Sequence, residues 1–214
     1  MTIRMGLIGV GNMGRHHARL LSEVEEVDFV SAYDPAGDKH GATHNRAPLV
    51  GSIDEMLDQG VDAAIVAIPT AYHADVALEL ARAGVHMLIE KPLAEHVAQA
   101  REVRDAVNEA GLIGAVGHVE RCNPALVEMR RRLDEGELGR VFSIGTTRVG
   151  PFPHRIQDVG VVKDLATHDI DIVTWLTDSP FERISAQTAY MMGREHEDLV
   201  NVVGRLADET VVTL

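Results

Sequence analysis

Ile3-Arg4-Met5-Gly6-Leu7-Ile8 runs straight into Gly9-Val10-Gly11-Asn12-Met13-Gly14, an apolar strand-like segment followed by glycines in G-x-G-x-x-G spacing. The three glycines have separate tasks. Gly9 permits a tight turn, Gly11 lets backbone approach a pyrophosphate that a Cβ would obstruct, and Gly14 lets the next helix pack close to its strand. The N–H groups at that helix start then hold phosphates, so Gly9, Gly11, Asn12, Met13 and Gly14 are the expected dinucleotide contacts. Glycines also mark ordinary turns, and the context decides between the two. A second apolar run, Val27 to Tyr33, ends at Asp34, where an acidic ribose ligand belongs. A carboxylate there accepts from both ribose hydroxyls of NAD and repels the 2′-phosphate of NADP, so NAD is the expected cofactor. Asp34 also suits a turn before Pro35, and the two tasks are compatible.

Working outward, Ile3–Ile8, Val27–Tyr33, Ala63–Ile68, Val85–Ile89 and Leu112–Val116 read as strands separated by helix-length segments. That alternation predicts an α/β fold with a doubly wound parallel sheet of the Rossmann type. Ser52-Ile53-Asp54-Glu55 reads as a capping box, and Ala94–Ala110 as a surface helix. After Gly117 the character changes. An arginine-rich helix opens at Pro124, a strand spans Val141–Arg148, and the stiff loop Gly150-Pro151-Phe152-Pro153 follows. Val161 to Leu176 reads as one helix, and Ile184–Tyr190, Leu199–Leu206 and Thr210–Leu214 as strands of a second sheet. The expected division is 1–120, a dinucleotide-binding domain, and 121–214, an α+β domain. Ending within a strand-like run, the second domain reads as incomplete.

Composition narrows the function classes. The 214 residues carry 33 acidic against 20 basic side chains, a net charge of -13, which argues against a nucleic-acid or anionic-membrane surface. A single cysteine, Cys122, excludes an intrachain disulfide and a thiolate zinc cage. The short, glycine-broken N-terminal apolar run followed by Arg15 is no signal peptide, and no run reaches membrane-spanning length. A soluble cytoplasmic protein is expected.

Two clusters carry candidate chemistry. Glu90-Lys91-Pro92 follows the Val85–Ile89 strand at the sheet edge where open α/β folds bind ligands. Beside an oxidised nicotinamide, a lysine is destabilised in its charged form, which helps it polarise or deprotonate a hydroxyl. The alternative is an exposed strand-end lysine. Asp164, His168 and Asp171 fall at i, i+4 and i+7 of one expected helix and share a face, so an aspartate can orient a histidine. A surface ion pair fits the same spacing. With one histidine and no thiolate nearby, no metal is expected. His16, His17, His40, His44, His96 and His196 read as surface residues.

In this order, Gly9–Gly14, Glu90-Lys91-Pro92 and Asp164-x-x-x-His168-x-x-Asp171 resemble the Gfo/Idh/MocA oxidoreductases, along essentially the whole chain. The resemblance implies a Rossmann domain, then an α+β domain whose open mixed sheet often forms a homo-oligomer interface, and oxidation or reduction of sugars with NAD. It implies Lys91 as the strand-end lysine, Asp164 with His168 as the acid/base pair, and Thr70, His73 and Glu90 as cofactor contacts. The segments 117–124 and 148–155 are similar to the UDP-N-acetylglucosamine 3-dehydrogenase branch and its hexosaminuronate relatives. Those enzymes oxidise the C3 hydroxyl of a UDP-sugar to a ketone. By that similarity Arg121 touches cofactor or sugar, and Asn123, Arg148 and Arg155 join Lys91 and His168 around the substrate. Arg148 and Arg155 suit a diphosphate, and equally suit a solvent-exposed loop. Which of Lys91 and His168 takes the proton stays open. A dehydrogenase of inositol or another free sugar, and a non-catalytic NAD(H)-binding regulator, are the rival readings.

Overall fold

The computed structural model describes residues 2–150 and 159–214. The chain forms two compact units, Met1–Gly117 and His118–Leu214.

In the first unit, β1 (Ile3–Ile8), β2 (Val27–Tyr33), β3 (Leu49–Val50), β4 (Ala63–Val66), β5 (His86–Ile89) and β6 (Gly114–Val116) form one sheet in the order β3-β2-β1-β4-β5-β6. Its pairings are all parallel. α1 (Gly14–Leu21), α2 (Ile53–Asp58), α3 (His73–Arg82) and α4 (Val97–Glu109) connect the strands. Successive strand residues point to opposite faces, and helices cover both faces. Leu7 and Ile65 therefore pack with Ala18, Leu21 and Phe29, while Ile8, Ala64 and Val66 pack with Met56, Leu80 and Val103. This two-sided burial is why the strands read as continuous apolar runs rather than alternating ones. β3 is absent from the sequence reading because two residues show no period. Ser52 caps α2 by accepting from the Glu55 N–H at 3.0 Å. The Glu55 carboxylate answers at Gly51 N (2.7 Å), one residue before the position a capping box requires.

The second unit contains α5 (Pro124–Asp134), β7 (Ser143–Gly145), α6 (Thr167–Thr177), β8 (Phe181–Ala189), β9 (Leu199–Leu206) and β10 (Val211–Thr213). Its sheet runs β7-β10-β9-β8 and is mixed: β10 is parallel to β7 and antiparallel to β9, which is antiparallel to β8. Val173 of α6 packs on Leu206 and Val212, with Ile144 and Phe181 around them.

One expectation needs correction here. The segment read as a single α-helix from Val161 opens instead with a π-helical turn, Val162–Ala166, before α6 begins. A π turn is wider than an α turn, so Asp164 lies in π geometry and the α-helical spacing applies only from His168 to Asp171. Glu197 anchors that turn from outside: its carboxylate accepts from Val162 N (3.0 Å) and its carbonyl from Val161 N (3.0 Å). Among the described residues, no helix is long and apolar enough to cross a membrane, and no cluster of three or more His, Cys, Asp or Glu is arranged to hold a metal.

Candidate cofactor site and charged cluster

Because the first sheet is parallel, the carboxyl ends of its strands lie along one edge, and the strand order reverses at the β1–β4 junction, where such sheets bind ligands. Gly9 sits there at φ +93°, and a Cβ on it would stand 2.4 Å from the Ala67 carbonyl oxygen. A Cβ on Gly14 would stand 1.9 Å from the Gly9 carbonyl oxygen, so the helix start presses directly on the turn. Gly11 differs: no protein atom lies within 4 Å of where its Cβ would be. Its missing side chain serves no packing within the protein and leaves a space open beside the backbone. In the first turn of α1 the Arg15 N–H donates to the Gly11 carbonyl and the His16 and His17 N–H groups to that of Met13, so the backbone that suits an anion is the Gly11–Gly14 turn leading into the helix. Asp34 holds the turn in register, one carboxylate oxygen accepting from Val10 N and the other from Ala36 N, both at 2.9 Å. It makes the turn, and a carboxylate with one donor on each oxygen retains lone pairs for ribose hydroxyls.

Glu90 and Lys91 follow β5 on the same edge. The Glu90 carboxylate meets His17 Nε2 of α1 at 2.8 Å, and its second oxygen accepts from Lys91 N at 3.3 Å. Both side chains are largely buried, which corrects the surface reading of His17. Burial opposes the charge on Glu90, yet the hydrogen bond and charge of His17, then the Lys91 N–H and the Lys91 charge, hold its carboxyl below the ordinary value. A carboxyl so lowered adds stability that is present above its ordinary value of 4.5 and is lost as the pH falls through the lowered one. Glu90→Gln is therefore expected to cost about 1–2 kcal/mol at neutral pH, the worth of a charge-assisted hydrogen bond. Melting curves across acid pH check this, since the gap between wild type and variant closes below pH 4.5.

Thr70 opens a short 3-10 turn (Thr70–Tyr72) after β4, and His73 begins α3. His73 is 1% exposed, with Nδ1 2.9 Å from the Pro92 carbonyl and Nε2 2.9 Å from the Ile68 carbonyl. Both ring nitrogens of His73, expected as a cofactor contact, face backbone carbonyls, and the ring sits between the loops after β4 and β5.

The second unit gathers charges around α6. Asp169 and Asp171 are 7% and 8% exposed. Arg121 grips Asp171 with two hydrogen bonds (2.9 and 2.5 Å), and His118 Nδ1 lies 3.5 Å from the same carboxylate. Asp171 thus serves Arg121, whose guanidinium is held further toward its charged form by that hydrogen bond. Arg148 reaches Asp169 at 3.0 Å and Glu120 at 3.2 Å. Burial of Glu120 opposes its charge, but Asn123, Arg148 and the nearby imidazole of His168 keep its carboxyl below the ordinary value. Asn123 itself caps α5 through Ala125 N at 3.1 Å. Arg121, Asn123 and Arg148 are therefore engaged by this unit's own groups, and Arg155 lies outside the described residues. Glu120, His118 and Asp169 were missed by sequence reasoning, and the only available signal was their neighbourhood to the named motifs. Arg121→Met leaves the buried Asp171 carboxylate short of its main partner. The expected loss in chemical denaturation is about 2 kcal/mol, below the usual range for a buried pair because Arg121 is half exposed.

The glycine turn, the open space at Gly11 and the carboxylate at the end of β2 fit a dinucleotide in the first unit. Comparison with known proteins agrees. Residues 3–118 match the Gfo/Idh/MocA oxidoreductase family, NAD-binding Rossmann fold, and residues 126–214 match the Gfo/Idh/MocA C-terminal domain. UDP-N-acetylglucosamine 3-dehydrogenase of Acidithiobacillus ferrooxidans is 33% identical over 82% of this chain and 54% of its own length. Inositol 2-dehydrogenase 2 of Saccharopolyspora erythraea is 32% identical over 92% of this chain and 60% of its own. A solved structure of the Acidithiobacillus ferrooxidans enzyme superposes with a TM-score of 0.90 at 29% identity, covering 100% of this chain and 69% of that one. The chain thus spans 54% to 60% of the length of these two curated relatives. With both modules matched in order, and the glycine turn built as that fold requires, the chain belongs to the Gfo/Idh/MocA oxidoreductase family.

Proposed function

We propose that the protein is an NAD-dependent dehydrogenase of a ring hydroxyl, and that its substrate is a UDP-N-acetylhexosamine or the corresponding uronic acid, oxidised at C3. The observation that carries the reaction class is the convergence of the Gly9–Gly14 turn, Asp34 and Lys91 on one edge of the parallel sheet. When bound, NAD supplies the hydride acceptor. The Gly11–Gly14 turn at the start of α1 would hold its phosphates, and Asp34 its ribose hydroxyls. The groups assigned to removing the hydroxyl proton and to stabilising the oxygen charge are His168, with Asp164 as its orienting partner, and Lys91. The preference for a UDP-sugar is supported by segment 117–124 and by the 33% identity to the Acidithiobacillus ferrooxidans enzyme. Self-association is supported by apolar side chains left open on the second sheet, Ile184, Leu199 and Val203.

One observation favours inositol or another free polyol instead. Arg148, offered as a diphosphate ligand, already answers two carboxylates, so a diphosphate would have to compete with Asp169 and Glu120. The test is to mix the protein with NAD and either UDP-N-acetylglucosamine or myo-inositol and follow reduced nicotinamide, free and protein-retained. Reduction with the UDP-sugar alone supports the main reading, and reduction with inositol alone overturns it in favour of the second. No reduction with any sugar, despite NAD binding, leaves the non-catalytic regulator.

A further inference from the structure

We propose that His17 and His73 are positioning residues for Lys91, gripping Glu90 and Pro92 on either side of it so that the lysine meets a bound dinucleotide in one arrangement. The inference rests on the dinucleotide reading of the first unit. On one side, His17 of α1 holds a Glu90 oxygen at 2.8 Å, with both side chains about one-sixth exposed (16% and 15%). The other Glu90 oxygen turns back to the Lys91 N–H at 3.3 Å. It lies so close to Gly117 that a Cβ there would stand 3.1 Å from it. The carboxylate is thereby enclosed by the helix, its own backbone and the end of β6. On the other side, the His73 ring spans the Pro92 and Ile68 carbonyls at 2.9 Å each. Carbonyls only accept, so each contact is a ring N–H donation: a neutral ring makes one at a time and an imidazolium makes both.

Three elements are thus tied to residues 90–92. α1, which carries the phosphate-facing turn, is tied through His17, and α3 and the loop after β4 are tied through His73. Lys91 has four side-chain torsions, and its reach is defined only if its backbone is held at both ends. Fixing the groups behind a reacting side chain is how a supporting shell acts. Packing alone does not explain a histidine at position 17, because its neighbour His16 on the same helix is exposed.

The full chain is tested by calorimetric titration with NAD and by reductive methylation, with Lys91 followed against Lys39 and Lys163 by peptide mass spectrometry. In the wild type, NAD is expected to change the methylation rate of Lys91 by about fivefold or more while leaving the other two unchanged. His17→Ala is expected to weaken NAD binding by about tenfold and to reduce the NAD effect on Lys91 to under about twofold at saturation. The NAD-free melting temperature should fall by a few degrees, as for Glu90→Gln, since both variants lose the same bond. His17→Gln retains an N–H donor toward Glu90 and is expected to restore both readouts to within about threefold. Adding His17→Ala to Glu90→Gln should weaken binding no further, since both remove the same contact. His73→Leu, which donates to neither carbonyl, should give a partial loss. The proposal is overturned if His17→Ala behaves as wild type in both readouts, if His17→Gln is no better than alanine, or if the His17 and Glu90 effects add. A wild-type chain that binds no NAD sinks the dinucleotide reading itself. NAD binding with no effect on Lys91 removes Lys91 from the site, and the inference falls with it.

Discussion

Lys91→Ala is expected to lower the rate of nicotinamide reduction by about 10³-fold, the typical worth of a positioned acid–base group, with NAD still bound by calorimetry. The lysine stands at the carboxyl end of β5, beside a carboxylate kept ionised by His17, and not on the turn that grips phosphates. Its removal therefore strikes the chemical step harder than cofactor binding. Stopped-flow measurement of the first turnover separates the two, because product held on the protein masks a fast chemical step in steady-state assays. Turnover of Lys91→Ala at the wild-type rate would remove the lysine from the mechanism and leave His168 to act without it.

Gly11→Val and Gly14→Val are expected to fail in opposite ways, although the two glycines lie in one turn. A Cβ at Gly11 stands clear of all but its chain neighbours, so Gly11→Val is expected to keep its melting temperature within about 2 °C of wild type. The same side chain would fill the space assigned to the pyrophosphate, and NAD affinity should fall by more than about 100-fold, or about 2.7 kcal/mol. At Gly14 the clash is with the Gly9 carbonyl at 1.9 Å, inside the fold, and backbone must move. That variant should lose more than about 4 kcal/mol of stability, the range reserved for severe steric damage, and accumulate poorly as soluble protein. Thermal melting and calorimetry on the pair distinguish them. Undiminished NAD binding by Gly11→Val would place the phosphates elsewhere.

The sequence reading carried far in the first unit because its signals are local. A glycine triplet, an aspartate after a strand and runs of buried β-branched residues are set by turn sterics and by burial of both faces of a parallel sheet, and each is visible within a few residues. The same rules announced the second sheet. They failed at β3, too short to have a period, and at the first turn before α6, where Glu197 accepts from Val162 N–H across 35 positions of sequence. Side-chain roles were less legible. His17 and Glu90 are 73 residues apart and Arg121 and Asp171 are 50 apart, so no spacing rule relates them. Arg148 read as an open cation until Asp169 and Glu120 were seen to close on it, and His73 read as a ligand until both its nitrogens were found on carbonyls. Residue types and local periods alone were sufficient to specify a glycine-rich dinucleotide turn and a Rossmann sheet. Which charges are already answered, and which histidines hold backbone rather than ligand, was decided by tertiary structure, because burial and partner choice depend on atoms that only folding brings together.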